Sequence, residues 1–226
     1  MPARIAYLCG SKYILLQMVT IPQLQAVLDV LRLAERLKFE LRHSYTSSGR
    51  QESVAEHTWR MSLMAVLMEP YLDKSIDMAK LLKMIIIHDL IEAEAGDVPV
   101  TEMMRNPALK LIKQQREIEA IESLRMRLGE PLGQEIYELW FEFEEKITYT
   151  ARVANAFDKL EVQLQHNEAD ISTWEDIEYD LSFMMGRHVA FDANLELLKD
   201  LIEAQADQKM RAAGADTVAI RTRVLG

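Results

Sequence analysis

This chain is short of several things at once, and each shortage narrows its class. It has one cysteine, Cys9, so no intrachain disulfide can form and a reducing cytosol is the expected setting. Glycine, proline and aromatics are scarce, at 8 Gly, 6 Pro and 7% aromatic in 226 residues. That excludes collagen-like and low-complexity chains, and it disfavours sheet, which wants β-branched and aromatic side chains. No apolar run approaches the ~20 residues of a membrane span. The stretch from Met1 to Met18 is interrupted by Tyr, Ser, Lys and Gln, so no signal peptide is expected, and Met18 is a second candidate start. Positive charge is also in deficit. With 26 basic against 36 acidic residues the net charge is -10, and neither nucleic acid nor membrane is expected as a partner. A phosphate substrate would then need basic residues gathered locally. Internal repeats and Gly/Ser linkers are missing too, which leaves one domain as the expectation.

What is present is an apolar fraction of 49%, with 13 Met, arranged at helical spacing. The fold class expected is all-α, a single helical bundle over residues 22–210. Residues 1–21 are read as an N-terminal extension, poorly ordered, and 211–226 as a C-terminal tail. A first helix over about 22–41 carries Leu24, Val27, Leu28, Leu31, Ala34 and Leu37 on one face expected to be buried. Residues 43–50 read as a polar loop. Ser53-Val54-Ala55-Glu56 reads as a capping box opening a helix that ends at Pro70. His57 shares that helix's inward face with Val54, Met61, Met64, Ala65 and Met68. A third helix is expected over about 76–95, closed by Gly96 and Pro99, which puts Asp97 in a loop. Further helices are read after Pro107, over 135–145, over 150–167, and as a last pair over 177–187 and 190–210. No segment alternates like a strand.

The most informative stretch is Ile85-Ile86-Ile87-His88-Asp89-Leu90-Ile91-Glu92, which sets an imidazole and a carboxylate inside a greasy run. A buried charge costs several kcal/mol unless partnered, and a divalent cation could hold both groups. His57 and Asp158 interrupt inward faces of other helices. Two imidazoles and two carboxylates enclosing one ion suit Mn, Fe, Co, Ni or Zn, with Mg also admitted, better than Ca. The plain alternative is a satisfied core histidine beside a surface aspartate. Glu92 lies four residues after His88 and three after Asp89, on their helix face, where it could act as general acid/base. Arg42 and Arg50 are candidates to clamp a phosphate bidentately. His166 and His188 read as surface or packing residues.

Four blocks in order carry a family resemblance. Arg50-Gln51-Glu52-Ser53-Val54-Ala55-Glu56-His57 and the run from His88-Asp89 through Gly96-Asp97-Val98-Pro99 resemble the HD-domain 5′-deoxynucleotidases. Leu139-Trp140 with Glu144, and Phe157-Asp158, fit the later blocks, and the similarity spans about residues 24–167. The resemblance implies an HD-domain metal-dependent phosphohydrolase, most simply a 5′-nucleotidase acting on (deoxy)nucleoside 5′-monophosphates. It implies His57, His88, Asp89 and Asp158 as ligands of one divalent metal, and Glu92 as the catalytic acid/base. Arg42, His43, Asp97 and Glu144 fall at substrate-contacting positions, and a homodimer is implied by analogy. The chain departs from the pattern at His43, where those enzymes carry a Trp that helps position the sugar. Rival readings are a phosphodiesterase or guanosine-tetraphosphate hydrolase of the same superfamily, a two-iron oxygenase, or a helical interaction module with a structural metal. The absence of any His from Leu90 to Phe157 argues against the two-iron class.

Overall fold

A computed structural model describes residues 5–9, 12–16, 19–96, 102–103 and 106–226. It is an all-α bundle with two small hairpins. Strands β1 (Ile5–Cys9) and β2 (Lys12–Leu16) pair antiparallel from Ile5↔Leu16 to Cys9↔Lys12. Helix α1 (Ile21–Ala34) follows, capped by Thr20 with Gln23, and a 3-10 turn carries the chain on to Lys38. The stripe expected to be buried on α1 is largely open: Leu24, Leu28 and Leu31 are exposed, and only Leu37 beyond the helix is fully covered.

The expected polar loop is, over residues 46–50, the turn of a second hairpin, but its first residues, 43–45, belong to strand β3 (Leu41–Tyr45), which pairs with β4 (Gln51–Ser53). Its pairing runs Leu41↔Ser53 and Tyr45↔Gln51, so four steps along β3 face two along β4. An extra stretch in one strand re-aims side chains that would otherwise alternate between faces. That is how neighbours Arg42 and His43 come to line the same cavity.

Helix α2 (Val54–Met68) opens on the expected capping box. Ser53 Oγ accepts Glu56 N at 3.3 Å, and Glu56 Oε2 accepts Ser53 N at 3.0 Å. The long helix expected over 76–95 is broken. Helix α3 (Met78–His88) stops at His88, and α4 (Glu92–Ala95) begins after a tight turn. Through that turn the backbone bonds are of i to i+3 type, Leu90 N to Ile87 O and Glu92 N to Asp89 O, both 3.0 Å. Gly96 then adopts φ +75, a backbone that only glycine takes without strain.

Helices α5 (Ala108–Leu128), α6 (Leu132–Glu145) and α7 (Tyr149–Glu168) complete the main layer. Short helices α8 (Asp176–Leu181) and α9 (Gly186–Val189), then α10 (Ala193–Ala212) and α11 (Thr217–Leu225), close the chain. Helix α7 is the axis: it packs against α2, α3, α6, α9, α10 and β3. Ala151, Ala154 and Ala156 let those neighbours approach closely, while Phe157 and Leu160 fill the main core with Met61, Ile85 and Ile121. A helix covered on most sides should be apolar all round. This one also buries Asn155, Asp158, Glu161, Gln163, Gln165 and His166, and each needs a partner. Among the described residues no helix is long and apolar enough to cross a membrane.

Candidate metal centre and active site

Three elements aim polar groups at one point beside α7. His57 of α2 is fully buried, with Nε2 3.3 Å from Asp158 Oδ1 and 3.7 Å from Asp89 Oδ2. His88 ends α3, and its Nε2 lies 3.1 Å from Asp89 Oδ1. The turn after His88 lets two consecutive residues serve one locus.

The other nitrogen of each ring is already engaged. His88 Nδ1 donates to Ile85 O at 2.5 Å, and its ring rests on Phe143 at 4.7 Å. His57 Nδ1 pairs with Glu161 Oε2, and Arg60 Nε donates to Glu161 Oε1 at 2.6 Å. A ring that donates through Nδ1 turns a bare lone pair outward at Nε2. Two such lone pairs therefore meet two carboxylates. Among the described residues His57 Nε2, His88 Nε2 and Asp89 Oδ2 are buried without a hydrogen-bond partner. Acceptors facing acceptors repel unless a cation sits between them, and one ligand atom each from His57, His88 and Asp158 lies within 4.8 Å of the others. The donor set fits a divalent cation.

The field at the site points the same way. Burial and the Arg42 charge act to lower the His57 pKa, yet the Asp158 and Glu161 carboxylates outweigh both and hold it at about 9, so without a metal a proton on Nε2 takes the place the cation would fill. Burial would raise Asp89 and Asp158. The imidazoles, with Arg42 beside Asp89 and Lys159 beside Asp158, hold both carboxyls below the usual range. Positive charge is what this locus draws.

Around it opens a cavity of about 470 Å³, within the range of small-molecule sites. Arg42, His43, His88, Asp89, Glu92, Glu144 and Asp158 all line it. Glu92 is buried at the start of α4, with Lys113 Nζ 3.4 Å from its Oε1. Arg42 reaches towards Asp89 Oδ2 at 3.9 Å and Glu52 Oε2 at 3.6 Å. Glu144 is exposed at the rim. Arg50 is not brought to the site. It lies on the surface, forked onto Glu56 at 2.5 and 2.9 Å, because that helix-capping carboxylate is the nearer anion. Asp97 lies outside the described residues. Glu94 turns away to Arg127, at 2.7 Å.

Sequence reasoning missed several contributors. Glu161 and Arg60 each follow a candidate ligand by three residues, Asp158 and His57, so facing i, i+3 pairs on two helices were the available signal. Among the described residues Lys113, Lys146, Lys159 and Arg187, with Arg42 and Lys110, set six basic side chains on the wall against six acidic ones. In a chain of net charge -10 that is a local gathering of positive charge. His166 and His188, read as surface or packing residues, both line it too.

The similarities of the chain to known proteins agree with this geometry. An HD-domain family model matches residues 34–199. The human 5′-deoxynucleotidase HDDC2 is 31% identical over 157 residues, covering 69% of this chain and 71% of that protein. Its counterpart in Dictyostelium discoideum is 32% identical over 148 residues, covering 62% and 76%. A predicted metal-dependent phosphohydrolase from Magnetospirillum magnetotacticum superposes with TM-score 0.70 at 27% identity, over 84% of this chain and 96% of that one. With a match over most of its length and its paired histidines and aspartates converged on one locus, this chain belongs to the HD-domain family.

Proposed function

We propose that the chain is a metal-dependent phosphohydrolase that releases phosphate from nucleoside 5′-monophosphates. The observation that carries this is the convergence of His57, His88, Asp89 and Asp158 on one locus, beside a cavity that Glu92 and Arg42 line. Those four residues would hold one first-row divalent metal, Mn, Co, Fe, Ni or Zn. Such a cation supplies a nucleophile at neutral pH and neutralises phosphoryl charge. Arg42, restrained by Glu52, presents a guanidinium for the phosphoryl oxygens. Glu92 delivers the proton that the sugar 5′-oxygen needs as the P–O bond breaks and water's oxygen joins phosphorus. Trp140, Phe143, Leu181 and Met184 form an apolar wall suited to a nucleoside. His43 takes the sugar side, with Glu144 at the rim and Asp97 a further candidate contact. The human and Dictyostelium relatives, named 5′-deoxynucleotidases, support a nucleotide over other phosphate esters.

The chain acts as a homodimer in this reading, supported by exposed apolar residues on α1 (Leu24, Leu28, Leu31) and α2 (Trp59, Leu63, Leu67). The single cysteine supports a cytoplasmic setting. The experiment is a panel of phosphate esters, nucleotides included, offered to chelator-stripped protein with Mn, Co, Mg or Zn added back. Metal-dependent phosphate release from nucleoside 5′-monophosphates is expected, and its absence with every metal would overturn the reading.

A further inference from the structure

A second group of ligating side chains lines the same cavity, and two of its three members have no part in the chemistry above. His43 of β3, His166 of α7 and Glu178 of α8 offer one ligand atom each, all within 4.8 Å of one another. His43 Nε2 lies 3.0 Å, and His166 Nε2 3.3 Å, from the same oxygen, Glu178 Oε1. The other carboxylate oxygen is committed, since Oε2 accepts Glu175 N at 2.7 Å. Glu178 and His166 are buried, at 3% and 5% exposure. The rings are held as well: His166 sits 5.3 Å from the His43 ring and 5.8 Å from Trp174. The Trp174 indole N–H donates to His166 O at 2.9 Å.

The three groups come from segments that have no local reason to meet. The irregular register of β3 turns His43 to the cavity beside Arg42, and α8 delivers Glu178. Burial pushes the His166 imidazole down to about 4, which the facing Glu178 carboxylate only partly opposes. Burial would raise Glu178, but the hydrogen bond from His43, the His166 ring and the Glu175 N–H outweigh it and hold the carboxyl below its usual range. The buried Glu178 carboxylate thus faces two imidazole nitrogens through one oxygen.

We infer that His43, His166 and Glu178 form a second metal site, for a borderline divalent transition metal with zinc the first candidate. Bonds of about 2.0–2.2 Å to a shared ion set neighbouring ligand atoms about 2.9–3.4 Å apart, and the two nitrogen–oxygen separations fall inside that range. Two imidazoles and one carboxylate are a zinc donor set that leaves a coordination position open, whereas Ca and Mg prefer oxygen-only shells. The site is distinct from the His57 cluster. His166 stands eight residues beyond Asp158 on α7, about 12 Å along the axis. An ion there rivets β3 to α7 and α8 and fixes the cavity wall next to Arg42. The competing occupant is a proton shared among the three groups.

The test uses the full chain and needs no turnover, so it stands or falls separately from the reaction proposed above. Asp158→Ala protein, which lacks a candidate ligand of the first cluster, is stripped with chelator, dialysed against micromolar zinc chloride and assayed for bound zinc. One equivalent is expected to remain, and adding Glu178→Gln or His43→Phe should weaken its binding at least tenfold. Zinc should raise the Tm of Asp158→Ala and leave the double variants unmoved. Zinc binding that is absent in Asp158→Ala, or unchanged by the second substitution, overturns the site. Should Asp158→Ala fail to fold, wild type and Glu178→Gln are titrated directly. A difference of one equivalent supports the site and equal stoichiometry refutes it.

Discussion

Glu161 touches nothing that reacts, yet its replacement by Gln should be felt at the candidate metal centre. The carboxylate is fully buried between His57 Nδ1 and Arg60 Nε, and accepts from both. An amide has one acceptor oxygen and one donor nitrogen. The substituted side chain can therefore serve one of the two N–H groups and must turn an NH₂ on the other. If it serves Arg60, His57 loses the partner that keeps its proton on Nδ1 and its lone pair on Nε2. Loss of such an outer partner typically weakens metal binding about 10–100-fold, about 1.4–2.7 kcal/mol. The metal-free protein also loses part of a buried charge-assisted pair, on the order of 1–3 kcal/mol. Some of that is offset, because Glu161 is one of the charges, after burial itself, that drive Glu52 up to about 7. The assay must therefore be differential. Tm is measured with and without metal for wild type and Glu161→Gln, and Kd is measured by titration. The metal-free cost cancels in the difference, and the metal-induced gain should shrink by the 10–100-fold factor. A Kd within threefold of wild type would refute the assignment of Glu161 as the group that orients His57.

The remaining expectations are simpler. His88→Ala or Asp158→Ala should remove metal from the His57 cluster together with phosphatase activity, and full occupancy of that cluster by metal analysis in either variant would contradict the ligand set. Glu92→Ala should keep the metal and lose about 10²–10⁴-fold in turnover; near wild-type kcat would pass the acid/base role to another group. His43→Trp should sharpen any preference for deoxy over ribo monophosphates, because a larger ring constrains the sugar and cannot replace the imidazole's hydrogen bonds. The comparison is kcat/KM for matched substrates in both proteins, and a wild type that already rejects the ribo form by orders of magnitude would show that selectivity is set elsewhere.

Much of the fold was legible because its signals are local. The Ser53–Glu56 box and the positive-φ Gly96 announce helix ends through groups only a few residues apart. The break after His88 was hidden by continuity, since Ile85 through Ile91 is apolar apart from His88-Asp89 and periodicity cannot reveal a three-residue tightening inside such a run. The β3–β4 hairpin was hidden for the opposite reason: its irregular register erases the alternation by which strands are read. At the site, His57, His88, Asp89 and Asp158 stood out because a charged or titratable group on an apolar face is rare. Glu161 and Arg60 did not, because an i+3 acid or base on a helix is ordinarily solvated and only the packing of α2 on α7 buries this pair. Arg50 was read towards the cavity because its sequence neighbours lead there, and the carboxylate of Glu56 captured it first.

Helix α7 has one more consequence, and it concerns time. Asp158, Glu161 and His166 are carried by the segment that contacts most of the bundle. Segments of this kind open only when the whole domain does, while short helices on the periphery open far more often. The backbone that carries Asp158 is therefore expected to stay in place through the protein's smaller fluctuations. The wall free to give is the one opposite, the turn at Asp89 and the short α4 that carries Glu92. Amide exchange should divide along that line, with α7 protected to the global limit and residues 89–96 trading hydrogens well below it. The ligand set then divides into a fixed post on α7 and a short helix that moves against it on a faster clock.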